Sequence, residues 1–172
     1  MRCSILAILI SLIFFSCGNK NQDSDDPFAD CKFGKPEPVF SKEIPKINSH
    51  DFRLAGREGI EKVVFENGVH LEIFQSGCDA IRQEFQFTLA GNFGKVPADF
   101  WVLRAIEQFQ YMGTLGEKFA AFSFWANAMQ QSASRFALGQ ALEVQPGAFV
   151  TLDKIFSPDH TILIVVLSQQ EN

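Results

Sequence analysis

The sequence predicts an α+β fold in which two helices pack on one face of a mainly antiparallel sheet. Short segments before residue 90 and after residue 141 alternate apolar with polar side chains, which is the period of half-buried strands. Between them, residues 97–135 repeat apolar side chains at helical spacing. Helices grouped between two sets of strands favour one sheet covered on one side. The predicted order is therefore βββ-αα-βββ.

The first three strands are predicted over residues 60–66, 69–76 and 81–89. The first two flank Asn67-Gly68, a dipeptide typical of two-residue type I′ hairpins because both positions tolerate a positive φ. In the third segment, every second residue from Ile81 to Leu89 is apolar except Gln83, and the residues between them are polar. The pattern predicts three consecutive antiparallel strands.

The helices are predicted over residues 97–113 and from Thr114 to about Arg135. Thr114 and Glu117 have the spacing of a capping box, which satisfies backbone N–H groups at the start of a helix. The last strand is apolar on both faces, so an interior place in the sheet is expected. The closing strands are predicted over residues 142–145, 149–156 and 161–167.

Length and charge limit the classes of function. The chain has 172 residues, 47% of them hydrophobic and 20% charged, which suits a globular protein with a buried core. Its 15 basic and 20 acidic residues give a net charge of −5, and no segment forms a basic patch. Nucleic acid is therefore not expected as a partner, because its recognition needs concentrated positive charge.

The first segment has the pattern of an export signal. An apolar run from Ile5 to Phe15 follows Arg2, and it is too short to span a membrane. The run ends in Phe14-Phe15-Ser16-Cys17, which resembles the lipobox of bacterial lipoproteins. The resemblance implies a signal peptide over residues 1–16 and a Cys17 that carries acyl chains such as palmitate. An ordinary secretory peptide that leaves Cys17 as a free thiol is the alternative.

Residues 17–31 are predicted to form a flexible acidic tether, because they are short of apolar side chains. Ser24-Asp25-Asp26 resembles the acidic signal that sends some Bacteroidota lipoproteins to the outer face of the outer membrane. The resemblance implies a lipid-anchored protein of the cell envelope, on either side of the outer membrane. A solvated acidic linker explains the same residues.

The remaining cysteines predict a disulfide. If Cys3 leaves with the signal and Cys17 carries lipid, Cys31 and Cys78 remain as a pair in an oxidising compartment. Such a bridge stabilises the fold by roughly 4 kcal/mol before strain is subtracted. Buried free thiols are the alternative. One domain is predicted over residues 32–172, beginning with an irregular, proline-rich arm over residues 32–58.

Three polar side chains are candidates for chemistry. A two-residue turn at Asn67-Gly68 would pair Phe65 with His70, and a short turn at residues 77–79 would place Glu84 opposite Glu72. Neighbouring carboxylates separate their pKa values, which is how hydrolases divide acid and base roles. A solvated, charge-balanced sheet face explains the same residues, so a hydrolase is only a third hypothesis.

The sequence predicts neither a metal nor another cofactor. His50, His70 and His160 are the only histidines, and no two have the spacing of a zinc site. No segment matches a nucleophile elbow. We therefore expect a protein that is not an enzyme.

Aromatic composition suggests how the protein acts. The chain holds 19 Phe but one Tyr, and Phe124 and Trp125 point away from the apolar stripe of the second helix. If exposed, these two form a surface for a protein partner. Core packing is the alternative for the aromatic surplus. The leading hypothesis is a lipid-anchored, protein-binding module of the inhibitor, immunity or accessory-factor type. The alternative is a carrier that holds a small apolar ligand in a Phe-rich pocket between helices and sheet.

Overall fold

The computed structural model describes residues 26–169, except positions 77, 79, 92 and 95. The strands in this part of the chain are β1 (Ile47–Ala55), β2 (Glu58–Phe65), β3 (His70–Ser76), β4 (Arg82–Ala90), β5 (Ala141–Gln145), β6 (Ala148–Phe156) and β7 (His160–Gln169). They form one antiparallel sheet in the order β1-β2-β3-β4-β7-β6-β5. Helices α1 (Ala98–Gly113) and α2 (Ala120–Gln131) lie between β4 and β5 in the chain.

The predicted α+β class and the antiparallel sheet are confirmed, and the sheet has one strand more than predicted. Strand β1 occupies residues that were assigned to the irregular arm, so the arm ends at residue 46 instead of residue 58. It pairs antiparallel with β2 at the sheet edge. An edge strand buries little, so its sequence stays polar and resembles that of a loop.

Alternation along the strands places the core on one face of the sheet. In β7, Leu163 and Val165 are fully buried, whereas Ile162 and Ile164 on the opposite face are partly exposed. Both helices pack on the first of these faces. Strand β7 pairs with β4 on one side and β6 on the other, so the predicted interior place is confirmed.

Aromatic rings join the helices to the sheet. The ring of Phe109 in α1 lies 5.1 Å from that of Phe85 in β4, and Phe122 in α2 lies 5.8 Å from Phe85. Trp101, at the start of α1, contacts Phe156 at the end of β6. Burial of each such side chain stabilises the fold by roughly 1.5–3 kcal/mol. Core packing therefore explains much of the phenylalanine surplus.

The β2–β3 hairpin has a three-residue loop, so the predicted two-residue turn is wrong. The Phe65 amide donates to the Val69 carbonyl, and the Gly68 amide donates to the Phe65 carbonyl. Gly68 has a φ of 81°, the left-handed conformation that closes such a loop. Because the loop holds one residue more, the register shifts by one, and His70 pairs with Val64 instead of Phe65.

The junction between the helices also differs from the prediction. Thr114 caps the end of α1, and its hydroxyl donates to the Tyr111 carbonyl at 2.7 Å. A short 3-10 helix, Glu117–Phe119, precedes α2, so the capping box does not form. The two helices approach closely at Gly113 and Ser123, since a Cβ at residue 113 would collide with the Ser123 Oγ.

The chain upstream of β1 is fastened at several points. A disulfide joins Cys31 to Cys78, which confirms the predicted bridge. Phe28 is buried in a turn, so ordered structure begins upstream of residue 32. Arg57 donates a hydrogen bond to Asp30, and this contact lowers the pKa of the Asp30 carboxyl. We use "the arm" for residues 32–46, between the disulfide and β1.

Candidate functional site

A buried carboxylate holds the arm against the sheet. Glu61 in β2 is fully buried, and its two oxygens accept hydrogen bonds from the amides of Val39 and Phe40, both at 2.8 Å. His50 Nε2 in β1 lies 2.8 Å from Glu61 Oε1. Phe40, fixed in this way, stacks on Phe119 in the core. These contacts make Glu61 the anchor of the arm.

Sequence reasoning missed Glu61. Strand β2 alternates, and Glu61 falls on the same face as Val63 and Phe65. An acidic residue on the apolar face of a strand signals a buried carboxylate, which requires donors from elsewhere in the chain. Because amide donors and His50 already occupy its oxygens, the arrangement is suited to holding the arm in place.

The arm also borders an open cleft of about 720 Å³. The cleft lies between arm residues 33–39 and the facing ends of β3 and β4. Gln75 Nε2 donates to the Glu37 carbonyl at 3.0 Å, and Gln83 Nε2 donates to Gln75 Oε1 at 3.3 Å. These amide groups therefore fasten the arm across the cleft.

The predicted pairing of Glu72 with Glu84 is wrong. Glu72 pairs with Gln86, and Glu84 pairs with Phe74, because the connection between the paired Ser76 and Arg82 has five residues instead of the predicted three. The carboxylates do share the uncovered face of the sheet with His70. Lys62 Nζ lies 2.9 Å from Glu72 Oε1, and Arg82 and Gln86 each donate to Glu84. Each carboxylate therefore has its own partners, as the charge-balanced interpretation predicts.

The histidines lie apart from one another in the fold. His50 faces the core side of β1, His70 begins β3 on the uncovered face, and His160 begins β7. Residues 26–169, outside the four gaps, contain no group of three or more His, Cys, Asp or Glu side chains that could hold a metal ion. None of the helices there is long and apolar enough to cross a membrane.

The predicted partner residues lie together on α2. Phe124 is 51% exposed, and its ring lies edge-on to that of Trp125, 6.2 Å away. Trp125 is partly buried and packs against the core. The pair therefore combines one exposed ring with one that fixes its position.

Helix α2 has an exposed face without charge, which we call the α2 face. Between Lys118 and Arg135 the sequence contains no Asp, Glu, Lys or Arg. A surface helix ordinarily presents charged residues to solvent. The exposed positions are Ala120, Ala121, Phe124, Asn127, Gln130 and Gln131.

Beyond the end of α2, a groove of about 430 Å³ lies between the first turns of α1 and the 3-10 helix Ala133–Arg135. Its apolar lining includes Val102, Leu103 and Phe136, and Leu103 is 51% exposed. Asp99 is the one charged side chain in the lining. We call this feature the end groove.

The space between helices and sheet is filled by side chains. Phe85, Phe109 and Phe122 are each in edge-on contact with the other two, at centroid distances of 5.1–5.8 Å. Trp101 and Met129 are fully buried beside them in the same core. The carrier hypothesis places its ligand in this space, and these contacts disfavour that placement.

The one tyrosine of the chain reports on α1. Tyr111 packs edge-on against Phe65, and its hydroxyl is buried without a hydrogen-bond partner among the described residues. Burial raises the pKa of Tyr111, and the negative charge of Glu66 raises it further. Helix α2 contains no titratable side chain.

The predicted signal peptide over residues 1–16, the lipid site at Cys17 and the tether up to residue 25 lie outside the described residues. The chain matches no protein-family model, and searches of curated proteins and of solved structures likewise find no similar protein. Functional inference therefore depends on the surfaces described above.

Proposed function

We propose that the protein is a lipid-anchored envelope protein that acts by binding another protein through the α2 face. Cys17 is the proposed site of the anchor, and residues 17–25 link it to the folded domain. Inhibitors, immunity proteins and assembly accessory factors all act in this way. The observation that carries the proposal is an exposed, uncharged helix face with Phe124 at its centre.

The composition of the α2 face supports a protein partner. Charged residues are depleted from the centres of protein interfaces, and aromatic residues are enriched there. The face contributes Phe124, small alanines and the amides of Asn127 and Gln131. Amides form hydrogen bonds without the large desolvation cost of a buried charge.

The surroundings of Phe124 support a role as a binding hot spot. Hot-spot side chains are mostly aromatic or Arg, and they are already positioned before binding. Trp125 packs against the core and contacts the Phe124 ring, so that little freedom is lost when a partner covers the ring. A half-exposed phenylalanine that contributes only to core packing would not need a neighbouring ring to hold its exposed part in place.

Site-specific photocrosslinking of the full chain in its native envelope tests this proposal. A photoreactive phenylalanine analogue replaces Phe124, and in a matched control it replaces Gln110, which is exposed on α1. We expect one discrete crosslinked protein from position 124 and none from position 110. Equal products from both positions, or none from position 124, would contradict the α2 face as the binding surface.

The lipid anchor at Cys17 is tested separately, by measuring the intact mass of the protein extracted from membranes. Acylation predicts a chain that begins at Cys17 and carries the added mass of its lipid. An unmodified Cys17 on a soluble chain would remove the anchor from the proposal and leave the binding surface to be judged by the crosslink.

A further inference from the structure

The end groove is a concave apolar site at one end of the α2 face. The uncharged segment that begins at Phe119 continues past α2 to Ser134, and Ala133 and Ser134 line the groove. Val102 and Leu103 line its other side from α1. An apolar side chain of a bound segment would therefore reach the groove without crossing a charged residue of α2.

Asp99 gives the groove a specific chemistry. Its exposed carboxylate makes no hydrogen bond or ion pair with the residues that the structure describes. The guanidinium of Arg104, five residues further along α1, is paired with Glu107 at 2.6 Å. The groove thus offers apolar walls and one carboxylate that can accept hydrogen bonds from a cation.

We propose that the end groove holds an apolar anchor side chain of the protein partner, and that a Lys or Arg beside this anchor pairs with Asp99. This inference rests on the proposed function, because it assigns the chemistry of the partner at the same surface. A partner segment lying along α2 would place its apolar residues against Phe124 and Leu103 and its cation at the α1 end. The partner segment would therefore combine an apolar side chain for the groove with a neighbouring cation for Asp99.

A structural role for Asp99 makes a different prediction. An acidic residue in the first turn stabilises a helix through the macrodipole, and Asp99 occupies that turn of α1. In that role alone, replacement of Asp99 would change helix stability and leave ligand selectivity unaffected. The test therefore measures selectivity.

Three small probes of matched size test the chemistry of the groove. Nuclear magnetic resonance titration of the folded chain compares 2-phenylethylammonium, 2-phenylethanol and 3-phenylpropanoate. We expect shifts centred on Val102 and Leu103, with the cation bound about two- to fivefold more tightly than the neutral probe, the range of an exposed ion pair. The anion should bind most weakly.

Two variants of equal charge change separate the groove from general electrostatics. Asp99→Asn should abolish the preference for the cation, whereas Glu107→Gln, on α1 outside the groove lining, should preserve it. A cation preference that survives Asp99→Asn, or shifts centred elsewhere, would overturn the inference.

The last variant tests whether the occupant belongs to the protein partner. Ser134 is exposed in the groove lining, so Ser134→Trp should fill the groove without disturbing the core. We expect at least a tenfold loss of the crosslink from position 124, with an unchanged circular dichroism spectrum. An unchanged crosslink would overturn the partner anchor and leave the proposed function standing. A different result would count against the proposed function: the protein with Ser134 unchanged forms no crosslink from position 124 but still prefers the cationic probe.

Discussion

Helices α1 and α2 lie on the same face of one sheet, yet their exposed sides differ in kind. The outer side of α1 carries Asp99, Arg104 and Glu107 as well as the exposed Leu103, and Arg104 and Glu107 form an ion pair. The outer side of α2 carries no charge and exposes Phe124. Their inner sides are alike, since both bury phenylalanines against β4.

The difference shows which features of α2 the fold does not require. Burial against the sheet explains Phe122 and Met129, and the equivalent residues of α1 are explained in the same way. The fold does not require an uncharged solvent side, because α1 packs on the same sheet with charged residues on its solvent side. The uncharged side is the feature that the proposed binding role would explain.

The inner sides should be equally important for stability. Phe109→Ala in α1 and Phe122→Ala in α2 should each lower the free energy of unfolding by about 3–5 kcal/mol, because each leaves a cavity in the core. Denaturant unfolding with the disulfide intact measures both. A cost below 1 kcal/mol for Phe122→Ala would mean that α2 is not a core helix, and the comparison would lose its basis.

Added side-chain volume at the contact between the helices should destabilise the fold. Gly→Ala usually stabilises a helix interior, but a Cβ at residue 113 would also lie 3.0 Å from the Ser123 backbone nitrogen. We expect Gly113→Ala to destabilise the fold by about 1–3 kcal/mol. Ser123→Ala removes the Oγ, so the double variant should recover part of the loss in a double-mutant cycle. A stabilised Gly113→Ala variant would indicate that the helices separate easily.

Phe124 should matter for binding and not for folding. Phe124→Gln should change the free energy of unfolding by no more than about 0.5 kcal/mol, as expected for an exposed position. The affinity for the crosslinked partner should fall at least about tenfold, as for a hot spot. Arg104→Gln, on α1, is the matched control and should leave that affinity unchanged. Comparable losses from both variants would erase the functional distinction between the helices.

The charges on α1 should contribute little to stability. Arg104 and Glu107 are both substantially exposed, so their coupling in a double-mutant cycle should be about 0.5 kcal/mol or less. It should decrease further with added salt. Coupling above 1 kcal/mol would show that the outer side of α1 is a structural feature in its own right.

The smallest expected effect is the shifted titration of Tyr111, which reports directly on α1. Its absorbance change on ionisation should have a midpoint above the ordinary pKa of about 10, and Glu66→Gln should lower that midpoint slightly. Because the folded-state pKa is the raised one, the associated stability is complete below the unfolded-state pKa and is lost as pH rises through the folded-state value. A midpoint at or below that of free tyrosine would mean that the hydroxyl is solvated.

The sequence was informative where side-chain periodicity is strong. It predicted both helices, six of the strands and the Cys31–Cys78 bridge, because deep burial and cysteine pairing each leave a regular pattern. It missed β1, in which Ser49, Asp51 and Arg53 alternate with residues that are only partly buried. Edge position, and not local propensity, makes those residues a strand.

The strand register and the buried polar contacts of Glu61 could not be predicted from one sequence, for a different reason. Asn67-Gly68 is compatible with both a two-residue and a three-residue loop, and a β3–β4 connection two residues longer than predicted moved Glu84 away from Glu72. Glu61 depends on amides about twenty residues away in the arm, at Val39 and Phe40. The end groove likewise joins two segments that are about thirty residues apart in the chain. Such sites arise from tertiary contacts that periodicity does not encode.

The disulfide has a mechanical consequence. Tension applied to the chain upstream of Cys31 passes through the sulfur bridge to Cys78 and enters the sheet between β3 and β4, two of its interior strands. The arm is a parallel path that is bypassed while the bridge is intact, so the hydrogen bonds to Glu61 bear little of the force. After reduction the same pull would act first on the arm, in the direction that draws Phe40 out of the core.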